Sequence, residues 1–98
     1  MTKLNIFSPG RFPLGQIVAT PGALTALETA GQTPLDFLLR HIAGDWGEVC
    51  ADDAAENELA LRVGNRLLSV YRTSQGETLW IITERDRSVT TLLLPDEY

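Results

Sequence analysis

Six carboxylates fall between Gly44 and Glu58 with no basic residue among them: Asp45, Glu48, Asp52, Asp53, Glu56 and Glu58. Carboxylates at this density can hold a cation, move a proton, or meet a basic surface as anions. The window has no histidine, which argues against a transition-metal site. Neither Asp52-Asp53 nor Asp45-x-x-Glu48 has the D-x-D-x-D-G spacing of a calcium loop. No metal and no cofactor is expected. What remains is electrostatic. The chain has thirteen Asp+Glu against eight Lys+Arg, a net charge of -5, so the residues outside the window are close to neutral. A negative charge with a location attracts a basic protein surface and repels nucleic acid.

A plain structural account covers part of this window. Asp52 and Asp53 suit a helix N-terminus through capping and the macrodipole, and Glu56 is still near that end. Asp45, Glu48 and Glu58 are left over. At 3.6 residues per turn, Asp52, Asp53 and Glu56 fall within about 100° of one another, while Glu58 points elsewhere. Trp46, inside Gly44-Asp45-Trp46-Gly47-Glu48, has two readings: an indole tucked into the core by a tight glycine loop, or an exposed aromatic anchor ringed by acids. The candidate partner-binding set is therefore Asp45, Trp46, Glu48, Asp52, Asp53, Glu56 and Glu58.

The other reactive side chains form no motif. His41 ends a helix, where a protonated imidazole is favoured. Its sharper reading is general acid/base work in an RNA-cleaving domain of the barnase/RelE sort, with Arg66, Arg72, Arg85, Arg87 and Tyr71 near the phosphate. An acidic protein approaches RNA at an electrostatic cost, which counts against it. Arg85 and Arg87 flank Asp86 in a predicted turn. Cys50, the one cysteine, reads as a small buried residue with no base to activate it. Ser69 and Ser88 lack a nucleophile motif, and Gly64-Asn65 is a helix stop rather than a phosphate loop.

The elements that must position these residues form two blocks. Residues 1–15, with Pro9, Gly10, Pro13 and Gly15, read as an irregular arm pinned by Ile6, Phe7, Phe12 and Leu14. Residues 16–98 read as a single α+β domain. Gln16–Ala19 suits a short strand. Thr20-Pro21 and Thr33-Pro34 each put a capping hydroxyl before a proline at the first helical position. The first helix runs to about Ala30, with Leu24 and Leu27 inward. The second runs from Pro34 to about Ile42, with Leu35, Leu38, Leu39 and Ile42 on its apolar face. A third spans Ala51–Val63, with Asp52 or Asp53 near its N-cap, Gly64 at its end, and Ala55, Leu59 and Val63 as its stripe. Arg66–Thr73, Thr78–Glu84 and Val89–Leu94 then predict a three-stranded antiparallel meander. Paired apolar residues such as Leu67-Leu68 and Ile81-Ile82 predict a sheet covered on one face and partly covered on the other. The arm is a candidate for that second cover, and Trp80 is expected in the core. Two or three N-terminal helices packed on a C-terminal three-stranded antiparallel meander, with room for the short N-terminal strand as an addition, define the expected α+β fold.

Ninety-eight residues at 44% hydrophobic and 21% charged are ordinary for one globular domain. One cysteine and one histidine rule out an internal disulfide and a structural zinc site. The first fifteen residues lack the apolar core of a signal peptide, and no apolar run approaches a membrane span. A cytoplasmic protein that does not engage membranes is expected.

Ile17-Val18-Ala19-Thr20-Pro21-Gly22-Ala23-Leu24, Gly44-Asp45-Trp46-Gly47-Glu48 and the long run from Leu79 to Pro95 carry a resemblance. Together they resemble a family of short bacterial proteins carried on plasmids and other mobile elements. Within that setting the chain is similar to anti-CRISPR proteins acting on type I-C systems. The resemblance implies a non-enzymatic, stoichiometric inhibitor of the surveillance complex, and an acidic inhibitor of this kind suits DNA mimicry. It implies no contact residues; those come from charge alone. The alternatives are the RNA-cleaving domain and an antitoxin-like accessory protein of a mobile element.

Overall fold

The computed structural model describes residues 10–98. Its order is β1 (Gln16–Ala19), α1 (Pro21–Ala30), α2 (Pro34–Ile42), α3 (Ala51–Val63), β2 (Leu67–Arg72), β3 (Thr78–Thr83), β4 (Val89–Leu93) and a terminal 3₁₀ turn, Pro95–Glu97. The fold is α+β, as the sequence implies. The sheet is larger than the predicted meander: four strands in the order β1-β4-β3-β2. β2, β3 and β4 are antiparallel neighbours. β1 runs parallel to β4, with Ile17 opposite Thr90 and Ala19 opposite Leu92. The sheet is therefore mixed, and the helices lie between its first strand and its other three.

The helix boundaries follow from their caps. Thr20 accepts a hydrogen bond from the Ala23 N–H at 3.2 Å, Pro21 opens α1, and Gly31 closes it in the left-handed conformation. The Thr33 N–H donates to Asp36 at 2.8 Å, fixing the start of α2. α3 has the expected span, Ala51–Val63, but a different cap. Cys50 is its N-cap, so Asp52 and Asp53 lie inside the first turn rather than at the cap.

The buried faces differ from those read by apolar spacing. α1 buries Ala23, Ala26 and Leu27, and leaves Leu24 50% exposed. α2 buries Phe37, Leu38, His41 and Ile42, while Leu35 and Leu39 stay partly exposed. Burial of His41, which an apolar pattern does not count, rotates the inward face. On α3, Ala55, Leu59 and Val63 face solvent, and Asn57 and Ala60 are buried. An amide, not a leucine, anchors that helix.

Alternation along the strands separates two faces. Leu67, Ser69, Tyr71, Leu79, Ile81, Thr83, Thr90 and Leu92 form the inner face, all buried. Phe12 and Leu14 join the same core cluster, so the described part of the arm packs into that core. Ile6 and Phe7 lie outside the described residues. On the other face the C-terminal end provides cover: Tyr98 meets Trp80 edge-on at 5.7 Å between ring centres. Trp80 is therefore half-buried on the outer face rather than in the core.

Candidate functional site

The Gly44–Glu48 loop is held against the edge of β2. The Val70 N–H donates to the Trp46 carbonyl at 3.0 Å, and the Glu48 N–H donates to the Val70 carbonyl at 2.6 Å. This close approach explains Gly47. Its φ is +78°, and a Cβ there would sit 2.0 Å from the Val70 carbonyl oxygen. The Tyr71 hydroxyl donates to the Asp45 carbonyl at 2.6 Å and fastens the loop from below.

The loop's acids are matched by arginines from outside the window. Asp45 Oδ2 accepts from Arg40 Nε at 2.7 Å, and Asp45 Oδ1 accepts from the Gly47 N–H at 3.2 Å. The Arg40 guanidinium, then the Gly47 N–H, hold the Asp45 carboxyl below the usual range. Glu48 pairs with Arg72 at 3.3 Å. Glu58 takes two parallel bonds from Arg11, at 2.7 and 2.9 Å, and a third from the Trp46 indole N–H at 3.1 Å. Those bonds lower the Glu58 pKa, Arg11 contributing most. Trp46 is 5% exposed, so the tucked reading holds and the exposed-anchor reading is corrected.

Asp52, Asp53 and Glu56 are different. All three are exposed on the first half of α3, and none makes an ion pair among the described residues. The six acids therefore separate into two groups. Three are bound to arginines around the buried Trp46, and three form an open anionic face at a helix start. Arg11, the key partner of Glu58, lies 47 positions away, and no sequence pattern announces it. Cys50, expected to be buried, is exposed at the N-cap of α3.

His41 is sealed inside the core at 0% exposure. The Thr90 hydroxyl donates to the Leu14 carbonyl at 2.7 Å, so it accepts from Thr83 at 2.8 Å. Thr83, having donated its one proton, accepts from His41 Nε2 at 2.9 Å. Nδ1 is then bare and accepts from Ser69 at 2.6 Å. The chain fixes a neutral Nε2–H tautomer with both ring nitrogens occupied. Burial, then the Arg87 charge, push the His41 pKa down to about 3. The expected protonated helix-end histidine is thus corrected, and the ring has no access to a phosphate.

Three of the four arginines of the nuclease reading, Arg66, Arg72 and Arg87, are also committed, Arg72 to Glu48, while Arg85 is exposed in its turn. Arg66 donates to the Tyr98 hydroxyl at 2.7 Å and pairs with Glu84 at 3.5 Å. Arg87, at φ +62°, donates to the carbonyls of Asn65, Glu84 and Ala60, closing the C-terminus of α3. A groove of about 340 Å³ on the outer sheet face is lined by Arg66, Leu68, Trp80, Ile82 and Tyr98, with no nucleophile or free base. Among the described residues no cluster of three His, Cys, Asp or Glu side chains suits a metal ion. No helix there is long and apolar enough to cross a membrane.

Compared with family models, curated proteins and solved structures, the chain matches none of them.

Proposed function

We propose that this chain is a non-enzymatic binding protein that docks the first half of α3 onto a basic, nucleic-acid-binding surface of another protein. The separation of the acids carries this reading. Asp45, Glu48 and Glu58 are already balanced by Arg40, Arg72 and Arg11, whereas Asp52, Asp53 and Glu56 face solvent together. Opposed charge steers encounter and selects partners more than it sets raw affinity. Carboxylates on a rigid helix can stand where the phosphates of a DNA strand would meet lysine and arginine. The resemblance of Gly44–Glu48 and Leu79–Pro95 to mobile-element proteins supports a type I-C CRISPR surveillance complex as the partner to test first. The contact set contracts from seven residues to Asp52, Asp53 and Glu56, flanked by the arginine-held Asp45, Glu48 and Glu58, with Trp46 as internal support.

The test is binding to purified type I-C complex, with target DNA as competitor, across a salt series. Asp52→Asn, Asp53→Asn and Glu56→Gln together should weaken binding at least tenfold and flatten its salt dependence. Phage restriction should return in cells carrying that variant. Binding and salt slope that match the parent chain would sink the proposal.

A further inference from the structure

The two edges of the sheet are finished differently. On β2 the backbone groups facing away from β3 belong to Leu68, Val70 and Arg72. Leu68 is bonded in both directions by Asn57: its N–H donates to Oδ1 at 3.1 Å, and its carbonyl accepts from Nδ2 at 2.8 Å. Val70 is bonded in both directions by the Trp46–Glu48 loop. That edge is closed along Leu68 and Val70, and among the described residues only Arg72, at its end, keeps outward backbone groups without a bond.

The β1 edge has no such cover among the described residues. The Gln16 N–H donates to Ser88 at 2.9 Å and the Thr20 N–H to Leu92 at 3.0 Å, so residues 16, 18 and 20 point their backbone groups toward β4. The N–H and C=O of Ile17 and Ala19 therefore point outward. The strand Gln-Ile-Val-Ala carries no charge and no proline, and Ile17 and Val18 are 43% and 40% exposed. Apart from its shortness, an edge of this composition lacks the usual devices against strand addition.

We propose that two copies of this chain pair antiparallel through β1, with Val18 on the two-fold axis. This register places Ile17 opposite Ala19 of the other copy, so each outward N–H meets an outward C=O. It also uses the whole strand, and it is self-complementary, as a two-fold interface requires. Electrostatics favour this edge for like molecules. Each copy carries a net charge of -5, but the open acids lie on α3, whose Asn57 is bonded to β2. β2 is separated from β1 by two strands, roughly 14 Å across the sheet. Copies thus meet at a strip whose strand residues carry no charge, with one carboxylate, Glu97 on the Thr20 hydroxyl and the Gly22 N–H, at its end. Pairing strands this short buries less than the roughly 1,200 Å² of a standard interface, so the dimer is weak and concentration-dependent. This pairing is independent of the partner proposed for α3.

Sedimentation of the full chain from about 10 µM to about 1 mM tests it, a range suited to weak association. Mass should rise from 10.8 kDa toward twice that value. Val18→Lys places like charges on the axis and should hold the chain at monomer mass, with an unchanged circular dichroism spectrum. In a Cys50→Ser background, Val18→Cys should cross-link under mild oxidation, since non-hydrogen-bonded pairs bring their Cβ atoms within about 5.5 Å. Monomer mass throughout the range would overturn the proposal. So would a dimer that survives Val18→Lys, a dimer that Val18→Cys fails to cross-link, or growth of large aggregates without a discrete dimer.

Discussion

The β2 edge and the β1 edge belong to one sheet and have opposite finishes. β2 is closed by a buried amide and by a loop that the left-handed Gly47 lets approach. β1 is short, neutral and uncovered among the described residues. The acids sort along the same axis. The six acids of the window lie near the closed edge, tied to arginines or standing on α3 beside it, whereas the open edge has a single carboxylate at its end, Glu97 on Thr20. Much of the sequence between Gly44 and Glu58, which reads as a binding patch, therefore serves to close a sheet. Its functional remainder is what faces away from that task.

Gly47 is the position where the comparison breaks most completely. Gly47→Ala meets both a positive φ and the Val70 carbonyl oxygen at 2.0 Å. The loop must lift, releasing the bonds to Val70 and the packing of Trp46. A loss of about 4 kcal/mol is expected in a denaturant titration, at the upper end for single substitutions. Asn57→Leu is the next test. It keeps a side chain of similar size and strands the Leu68 N–H and C=O, at about 2–3 kcal/mol. Amide exchange at Leu68 should quicken specifically, and the chain should then self-associate through β2 as well as β1. A stable Asn57→Leu variant with a protected Leu68 amide would show that the amide does not close this edge.

These same residues mark where the sequence is legible. Thr20-Pro21, Thr33-Pro34, Gly31 and Gly64 announce both ends or one end of each helix, because capping is local chemistry. The antiparallel strands are announced by β-branched runs between polar turns. The parallel docking of β1 on β4 is not announced, because it joins residues about seventy positions apart through backbone alone. Inward faces fail wherever a polar residue is buried. His41 and Asn57 are counted as surface by an apolar pattern, yet each anchors its helix. The acidic window shows the same limit. Its composition is plain in the sequence, but Arg11, Arg40 and Arg72 reach it only in three dimensions, so charge counting overstates the open patch twofold.

His41 sharpens the contrast from the interior, with a smaller effect and a distinct pH signature. Its ring joins α2 to β2, β3 and β4 through Ser69, Thr83 and Thr90, so its protonation loosens the closed side and the sheet centre together. In the unfolded chain the imidazole takes up a proton below about pH 6.5. In the folded chain it resists until about pH 3, because burial and then Arg87 disfavour the cation. Its contribution is therefore complete above pH 6.5 and is lost as pH falls toward 3. At pH 5 the loss is about 2 kcal/mol, from 1.36 kcal/mol per unit. The lowered carboxylates of Asp45 and Glu58 act in the same direction, but their window opens only below their ordinary range near 4. Unfolding free energies between pH 7 and pH 5 thus isolate the histidine. His41→Gln retains an N–H for Thr83 and an oxygen for Ser69 without a titrating group, and should leave stability flat across that interval. A parent chain that is equally stable at pH 7 and pH 5 would mean that the imidazole accepts its proton without leaving the core.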